Sequence, residues 1–185
     1  MPSLSLLSIT MATPLVILSL IGLKNLERAA GQMRAFPRSL SWGYALMGLA
    51  TIWFLYLVKQ EDISDFEAYK RYMLIGFAVI GVGTMVYVQD FLSIRGASVL
   101  MLLLAKLMVD TARWVDTPAR LFMVLWAYLM VLAGMWFTIS PWRLRDLVFW
   151  ISERKSRLQV TLGLTLAWSI LILILAMSLY RTAPQ

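Results

Sequence analysis

The residues of this sequence best able to do chemistry lie in one leucine-rich segment. Five polar or charged side chains interrupt it: Arg95, Ser98, Lys106, Asp110 and Arg113. On a helix, with about 100° between successive residues, these five fall within about 120° of arc. Lys106 and Asp110 are four residues apart, the spacing at which an ion pair can form on a helix. The pattern predicts one polar stripe along an otherwise apolar helix.

A charge in such a segment is costly, about 2.5–3.5 kcal/mol for an isolated Lys or Asp at the centre of a membrane. We therefore expect the stripe to face other helices or water, and three interpretations stay open. Lys106 and Asp110 neutralise each other while Arg113 extends to the membrane surface. Alternatively, the stripe docks another membrane subunit. In the third interpretation it lines an ion or proton path.

A second group of candidate residues follows the dipeptide Ser140-Pro141, which is typical of a helix start. Apolar residues from Leu144 to Ile151 recur at the spacing of an amphipathic helix. We predict a short helix over residues 141–152 that lies on the cytoplasmic membrane face. Its expected contacts are anionic lipid headgroups or an acidic partner surface. The contacting residues would be Trp142, Arg143, Arg145, Trp150, Arg154, Lys155 and Arg157. Ordinary anchoring by basic residues is the alternative interpretation.

Two further features have weaker implications. Gly76 and Gly83 are seven residues apart, so they share a helix face and predict close helix packing. The only acidic stretch, residues 59–71, contains Glu61, Asp62 and Asp65. We expect a solvated loop there, since three carboxylates without a glycine-containing calcium loop are weak evidence for a metal.

The composition excludes several chemistries within this chain. It contains no cysteine and no histidine, so disulfides, thiolate nucleophiles and histidine-dependent catalysis are impossible. No named catalytic or nucleotide-binding motif is present. We accordingly expect no catalytic residue, no metal, no cofactor and no nucleic-acid partner.

The elements that must position these residues are membrane spans. Apolar residues make up 61% of the 185 residues and charged residues 15%, whereas soluble domains carry about 25% charge. The apolar residues fall into runs of about 18–23, the length that crosses a bilayer. Because no water satisfies the backbone there, the spans should be helices. The fold class is therefore all-α and polytopic, a single transmembrane domain over residues 1–185. We predict six spans, over residues 4–23, 40–58, 72–88, 96–112, 119–138 and 158–180.

Orientation follows from the distribution of Lys and Arg, which accumulate on the cytoplasmic side. The connections after the first, third and fifth predicted spans contain ten such residues, against six on the opposite side. Both termini should therefore lie outside. Residues 4–23 are interpreted as a retained span, because no basic residue precedes them and Lys24 and Arg28 follow. Residues 24–39 are interpreted as the linker to the second span. The default location is a bacterial inner membrane.

These observations predict a non-catalytic integral membrane subunit that assembles with itself or with other membrane proteins. Its other partners would be anionic lipids at the cytoplasmic face. A small transporter or channel component that uses Lys106 and Asp110 is the alternative. A lipid-modifying enzyme has less support, since only the basic connection favours it.

Overall fold

The computed structural model of the protein describes residues 3–61, 64–115 and 117–182, without the side chains of 64–66 and 179–182. Asp62 of the predicted acidic loop and the side chain of Asp65 therefore lie outside the described residues, as does Asp116. Every element in the described part of the chain is helical. The α-helices are α1 Leu4–Lys24, α2 Leu26–Ala35, α3 Leu40–Gln60, α4 Lys70–Tyr87, α5 Leu92–Ala112, α6 Arg120–Ile139, α7 Pro141–Glu153 and α8 Lys155–Thr182. Two 3₁₀ helices cover Phe36–Arg38 and Ser64–Tyr69.

Five of the described helices are long and apolar enough to cross a membrane, namely α1, α3, α5, α6 and α8. The predicted third span, 72–88, corresponds to α4, which is not among the five. This helix has only 18 residues, and Lys70 and Arg71 occupy its first turn. Length and composition thus support an integral membrane protein with at least these five candidate spans.

The structure differs from the sequence prediction in one additional helix and in one helix start. Residues 24–39 were expected to be a linker, but they contain α2, a ten-residue helix. The predicted fourth span began at residue 96, whereas α5 begins at Leu92. Phe91 adopts a left-handed backbone conformation with φ of 56°, and its carbonyl accepts hydrogen bonds from the backbone N–H groups of Ile94 and Arg95. This tight turn allows α5 to start directly after it.

Asn25 separates α1 from α2. Its backbone φ and ψ of −142° and 78° are not helical, and its N–H donates to the carbonyl of Ile21 to end α1. Its side-chain Oδ1 accepts from the N–H of Arg28 at 3.2 Å, which satisfies one of the unpaired donors at the start of α2. One residue therefore ends the apolar helix and starts a polar one.

The described chain divides into two compact units. The first lies within Met1–Arg34, Leu104–Leu132 and Arg145–Gln185, and the second within Ala35–Leu103 and Ala133–Leu144. In the first unit α1 packs against α8. In the second unit α3 packs against α4. The single domain predicted over residues 1–185 stays a prediction.

Glycines allow the close helix approaches in the second unit. A Cβ atom on Gly96 of α5 would lie 2.6 Å from the backbone nitrogen of Met47 in α3. A Cβ atom on Gly43 of α3 would lie 2.9 Å from the Cβ of Leu92. Both positions require a glycine, because a backbone or Cβ neighbour cannot move aside without shifting its helix. These contacts hold the first turns of α5 against α3.

Candidate functional site

Lys106 and Asp110 form an ion pair on α5. The Nζ atom of Lys106 donates to Oδ2 of Asp110 at 2.7 Å, one helical turn further along the chain. The two side chains are 45% and 39% exposed. The pair therefore lies on the outer surface of a helix that is apolar enough to cross a membrane.

The other members of the predicted stripe have different surroundings. Ser98 is fully buried, and its hydroxyl donates to the carbonyl of Ile94. Arg95 is half-buried and donates from Nη1 to the carbonyl of Thr138 at 3.4 Å, while its Nε is buried without a hydrogen-bond partner among the described residues. Arg113 is exposed, one residue beyond the end of α5, with its guanidinium 5.9 Å from the ring centre of Trp114. Of the five residues in the predicted stripe, only Lys106 and Asp110 interact with each other.

The predicted lipid-contact residues from Trp142 to Arg154, in and just after α7, divide into two groups. Trp142, Arg143, Trp150 and Arg154 are exposed. Arg145 instead makes two hydrogen bonds to Oδ1 of Asp146, at 2.7 and 2.9 Å. The helix itself begins at Pro141, as the Ser140-Pro141 dipeptide predicts. Its location at a membrane surface stays a prediction.

Residues 152–157, where α7 ends and α8 begins, form what we name the α7–α8 corner. Arg157 lies with its guanidinium 4.3 Å from the ring centre of Trp150 and donates to the Trp150 carbonyl at 3.2 Å. It also pairs with Glu153 at 3.4 Å. A cation over an aromatic face is attracted to the ring. These contacts fix the direction in which α8 leaves the corner.

Helix α2 contacts this corner at two points, both between residues far apart in sequence. The Nε atom of Arg34 donates to the hydroxyl of buried Ser152 at 2.9 Å, and its Nη2 donates to the Ser152 carbonyl. Lys155 donates to Oε1 of Glu27 at 2.8 Å. The hydrogen bond from Lys155, and then its positive charge, lower the pKa of Glu27 below the ordinary value of 4.5. The corner is thus tied to both ends of α2.

A cavity of about 650 Å³ lies between the end of α1, the inner face of α2 and α8. The apolar part of its lining includes Leu18 and Ile21 of α1 and Leu162 of α8. The polar part includes Lys24, Arg28 and Gln32. Most of these side chains are exposed, so the cavity is a groove open on one side. Apolar and basic groups thus line the same groove at the end of a candidate span.

Sequence reasoning missed this groove because residues 24–39 were interpreted as a linker. A signal was present: Arg28, Ala29, Gln32 and Met33 recur at the spacing of one helix face. All four line the groove. Nothing in the sequence indicated Leu162, which lies more than 100 residues away and is brought there by the packing of α8 on α1.

The predicted packing glycines, Gly76 and Gly83 on α4, lie on an open face. A Cβ atom added to either would meet no other atom within 4 Å. The contact of α4 with α3 uses Gly81 instead, where an added Cβ would collide with the side chain of Thr51. Whether Gly76 and Gly83 admit a helix of another protein stays a prediction.

Among residues 3–61, 64–115 and 117–182, no group of three or more acidic side chains lies close enough together to hold a metal ion. Comparisons of the chain with protein-family models, with curated protein sequences and with solved structures find no match.

Proposed function

We propose that this chain is a non-catalytic integral membrane subunit that assembles with itself or with other membrane proteins through the surface around Lys106 and Asp110. The observation that carries the proposal is the exposure of this ion pair on a helix that could cross a membrane. A partner that covers the pair would remove two polar groups from contact with lipid.

The position of the pair along α5 supports this reasoning. Lys106 is 14 residues after Leu92, about 21 Å along the helix, and about 9 Å before its last residue. Hydrocarbon extends over about 30 Å, so a membrane-spanning α5 places the Lys106 backbone inside it. The ion pair reduces the cost of both charges but leaves a strong dipole at the surface. Charged groups in spans usually face other helices for this reason.

The open face of α4 gives further support. Gly76 and Gly83 share this face with Val79, which is 65% exposed. Small residues allow the backbones of two membrane helices to approach closely. A Cβ atom added to either glycine would meet nothing within 4 Å, which supports the packing of a helix from outside on this face.

The proposal includes a topology. Helix α4 would also cross the membrane, as the third span in chain order, and would bring the number of spans to six. Lys70 and Arg71 would extend to the membrane surface. The protein would lie in a bacterial inner membrane, with both termini on the outer side. The amphipathic α7 would rest on the cytoplasmic face with Trp142 and Trp150 among the headgroups, where amphipathic aromatic rings are favoured. The orientation is tested by introducing single cysteines into α2 and into the connection between α3 and α4, and by measuring from which side of the membrane each one can be labelled.

A transport role for Lys106 and Asp110 would need a water-filled path that reaches them. The cavity among α1, α2 and α8 does not include either residue. We therefore rank the transport role second. A monomeric wild-type protein would favour it.

The test is native mass spectrometry of the protein extracted from its own membrane in mild detergent. We expect the wild-type chain to appear as a defined oligomer or with a stoichiometric membrane partner. The double variant Lys106→Leu/Asp110→Leu should lose that association while keeping its thermal melting temperature, because both charges disappear together. The swapped variant Lys106→Asp/Asp110→Lys keeps an ion pair but reverses its direction, and it should also fail to assemble.

The matched control is Glu27→Gln/Lys155→Gln, which removes another exposed pair of opposite charges, one that does not lie on α5. Its oligomeric state should equal that of the wild type. A lone wild-type monomer, or normal assembly of both Lys106/Asp110 variants, would refute the proposal. In that case, ion flux into liposomes with and without Lys106 becomes the next measurement.

A further inference from the structure

We propose that the groove between α1 and α2 binds one anionic phospholipid, with its phosphate on Lys24 and Arg28 and the upper part of one acyl chain along Leu18, Ile21 and Leu162. This site is separate from the Lys106–Asp110 surface and goes beyond the assembly function.

The charges of the groove favour an anion. Among the residues that the structure describes, neither Lys24 nor Arg28 has a carboxylate within 4 Å. The acidic residue nearest in sequence, Glu27, is bound to Lys155 instead. Two basic groups therefore line the same groove with their charges unneutralised. Phosphate oxygens accept strong hydrogen bonds from such cationic donors.

The apolar lining favours a lipid over a soluble anion. Leu18 and Ile21 belong to the last two turns of α1, which is apolar enough to cross a membrane, and Lys24 is its last residue. The polar end of the groove therefore lies where a spanning helix leaves the hydrocarbon and the lipid phosphates begin. Its volume of about 650 Å³ suits a headgroup and part of one chain, while the rest of the lipid stays in the bilayer.

The groove is also built to stay open. Gly22 lies at its base, where an added Cβ atom would be 3.0 Å from a methyl group of Leu162 and 3.7 Å from the Cβ of Ala29. Any larger residue would project into this space. The bonds from Arg34 to Ser152 and from Lys155 to Glu27 fix α2, and thus Arg28 and Gln32, in position.

The experiment is lipid titration of the delipidated, purified chain, followed by native mass spectrometry. The probes are phosphatidylglycerol, phosphatidylcholine and the soluble headgroup analogue glycerol 3-phosphate. We expect one retained phosphatidylglycerol per chain, with weaker binding of phosphatidylcholine and of glycerol 3-phosphate. Lys24→Gln/Arg28→Gln should weaken phosphatidylglycerol binding by about tenfold or more, because two charge-assisted hydrogen bonds are lost.

A charge control distinguishes this site from general attraction to a basic surface. Arg38→Gln/Lys59→Gln removes two exposed cations that neither line the groove nor belong to the predicted lipid contacts around α7. This variant should bind phosphatidylglycerol as the wild type does. An equal loss in both double variants would overturn the proposal, as would equal retention of phosphatidylcholine or binding of glycerol 3-phosphate as tight as that of the lipid.

A second variant tests the shape of the groove without changing its charge. Gly22→Leu should fill the base of the groove and reduce phosphatidylglycerol binding, whereas Gly31→Leu, where an added Cβ meets nothing within 4 Å, should not. If Lys24→Gln/Arg28→Gln does not fold, the comparison of Gly22→Leu with Gly31→Leu tests the proposal. Normal lipid binding by a folded Gly22→Leu variant would refute the site.

Discussion

Two regions of the molecule hold their charges in different ways. Lys106 and Asp110 pair within one helix, one turn apart. At the α7–α8 corner, Arg34 and Glu27 of α2 reach partners 118 and 128 residues further along the chain. The first arrangement forms whenever α5 is helical. The second requires that α1, α2, α7 and α8 have already packed.

This difference separates two roles for charge. A pair inside one helix forms without the packing of other helices, and its exposed surface can meet a partner or lipid. Bonds between helices fix the tertiary structure and are then no longer available to bind a partner. The basic residues of the corner that the sequence predicts as lipid contacts thus include Lys155 and Arg157, which the fold itself uses.

The largest effect is expected at the pair inside α5. Asp110→Leu leaves Lys106 charged but removes the carboxylate 2.7 Å from it. In a membrane span this should cost about 1–3 kcal/mol, since a charge inside hydrocarbon is poorly solvated. Thermal melting in lipid nanodiscs measures it.

The double variant Lys106→Leu/Asp110→Leu sharpens this prediction. If the two charges only compensate each other, it should recover most of the stability lost in Asp110→Leu, and the coupling energy follows from the double-mutant cycle. A double variant as unstable as the single one would mean that Lys106 has a structural role beyond the pair.

The next effect is expected at the contact of α2 with the corner. Arg34→Met removes both hydrogen bonds to Ser152, a buried residue. Bonds from a charged donor contribute about 1.5–3 kcal/mol when buried, and because Arg34 is itself exposed we expect a loss of about 1–2 kcal/mol. The melting temperature should fall by a few degrees, and proteolysis near residue 154 should become faster.

Arg38→Met is the matched control, since it removes an exposed arginine of the adjacent 3₁₀ helix. Its melting temperature should stay at the wild-type value. Ser152→Ala keeps the backbone carbonyl bond from Arg34 and should lie between the two. If Arg34→Met melts like Arg38→Met, the α2 contact does not hold the corner.

Much of the fold could be predicted from the sequence because each span carries its own signal. Length, apolar composition and the Ser140-Pro141 start depend only on neighbouring residues. For this reason the predicted helix 141–152 matches α7, Pro141–Glu153. Helix α2 could not be recognised as easily, since a ten-residue segment with four polar or charged side chains and a short amphipathic face resembles a linker.

The candidate sites divide in the same way. The Lys106–Asp110 pair follows from a four-residue spacing. The groove needs Leu162 beside Gly22, a contact between distant segments that no local pattern encodes. The glycine at the contact with α3 could not be predicted for the same reason. Gly76 and Gly83 share a helix face, but the face of α4 that meets α3 is set by the contact of Gly81 with Thr51.

The smallest effect is expected at Glu27 and Lys155, whose side chains are 80% and 72% exposed. Lys155 lowers the pKa of Glu27 in the folded protein, so the ionised carboxylate contributes stability above its ordinary pKa of 4.5. This contribution is lost as the pH falls through the lowered value. The melting temperatures of wild type and Glu27→Gln should therefore differ slightly at pH 7 and converge under acidic conditions. Salt at about 1 M should also remove the difference, because its screening length is about 3 Å. In a Lys155→Gln background Glu27→Gln should have no effect at pH 7. A difference that persists there, or at high salt, would mean that Glu27 stabilises α2 by a contact other than this pair.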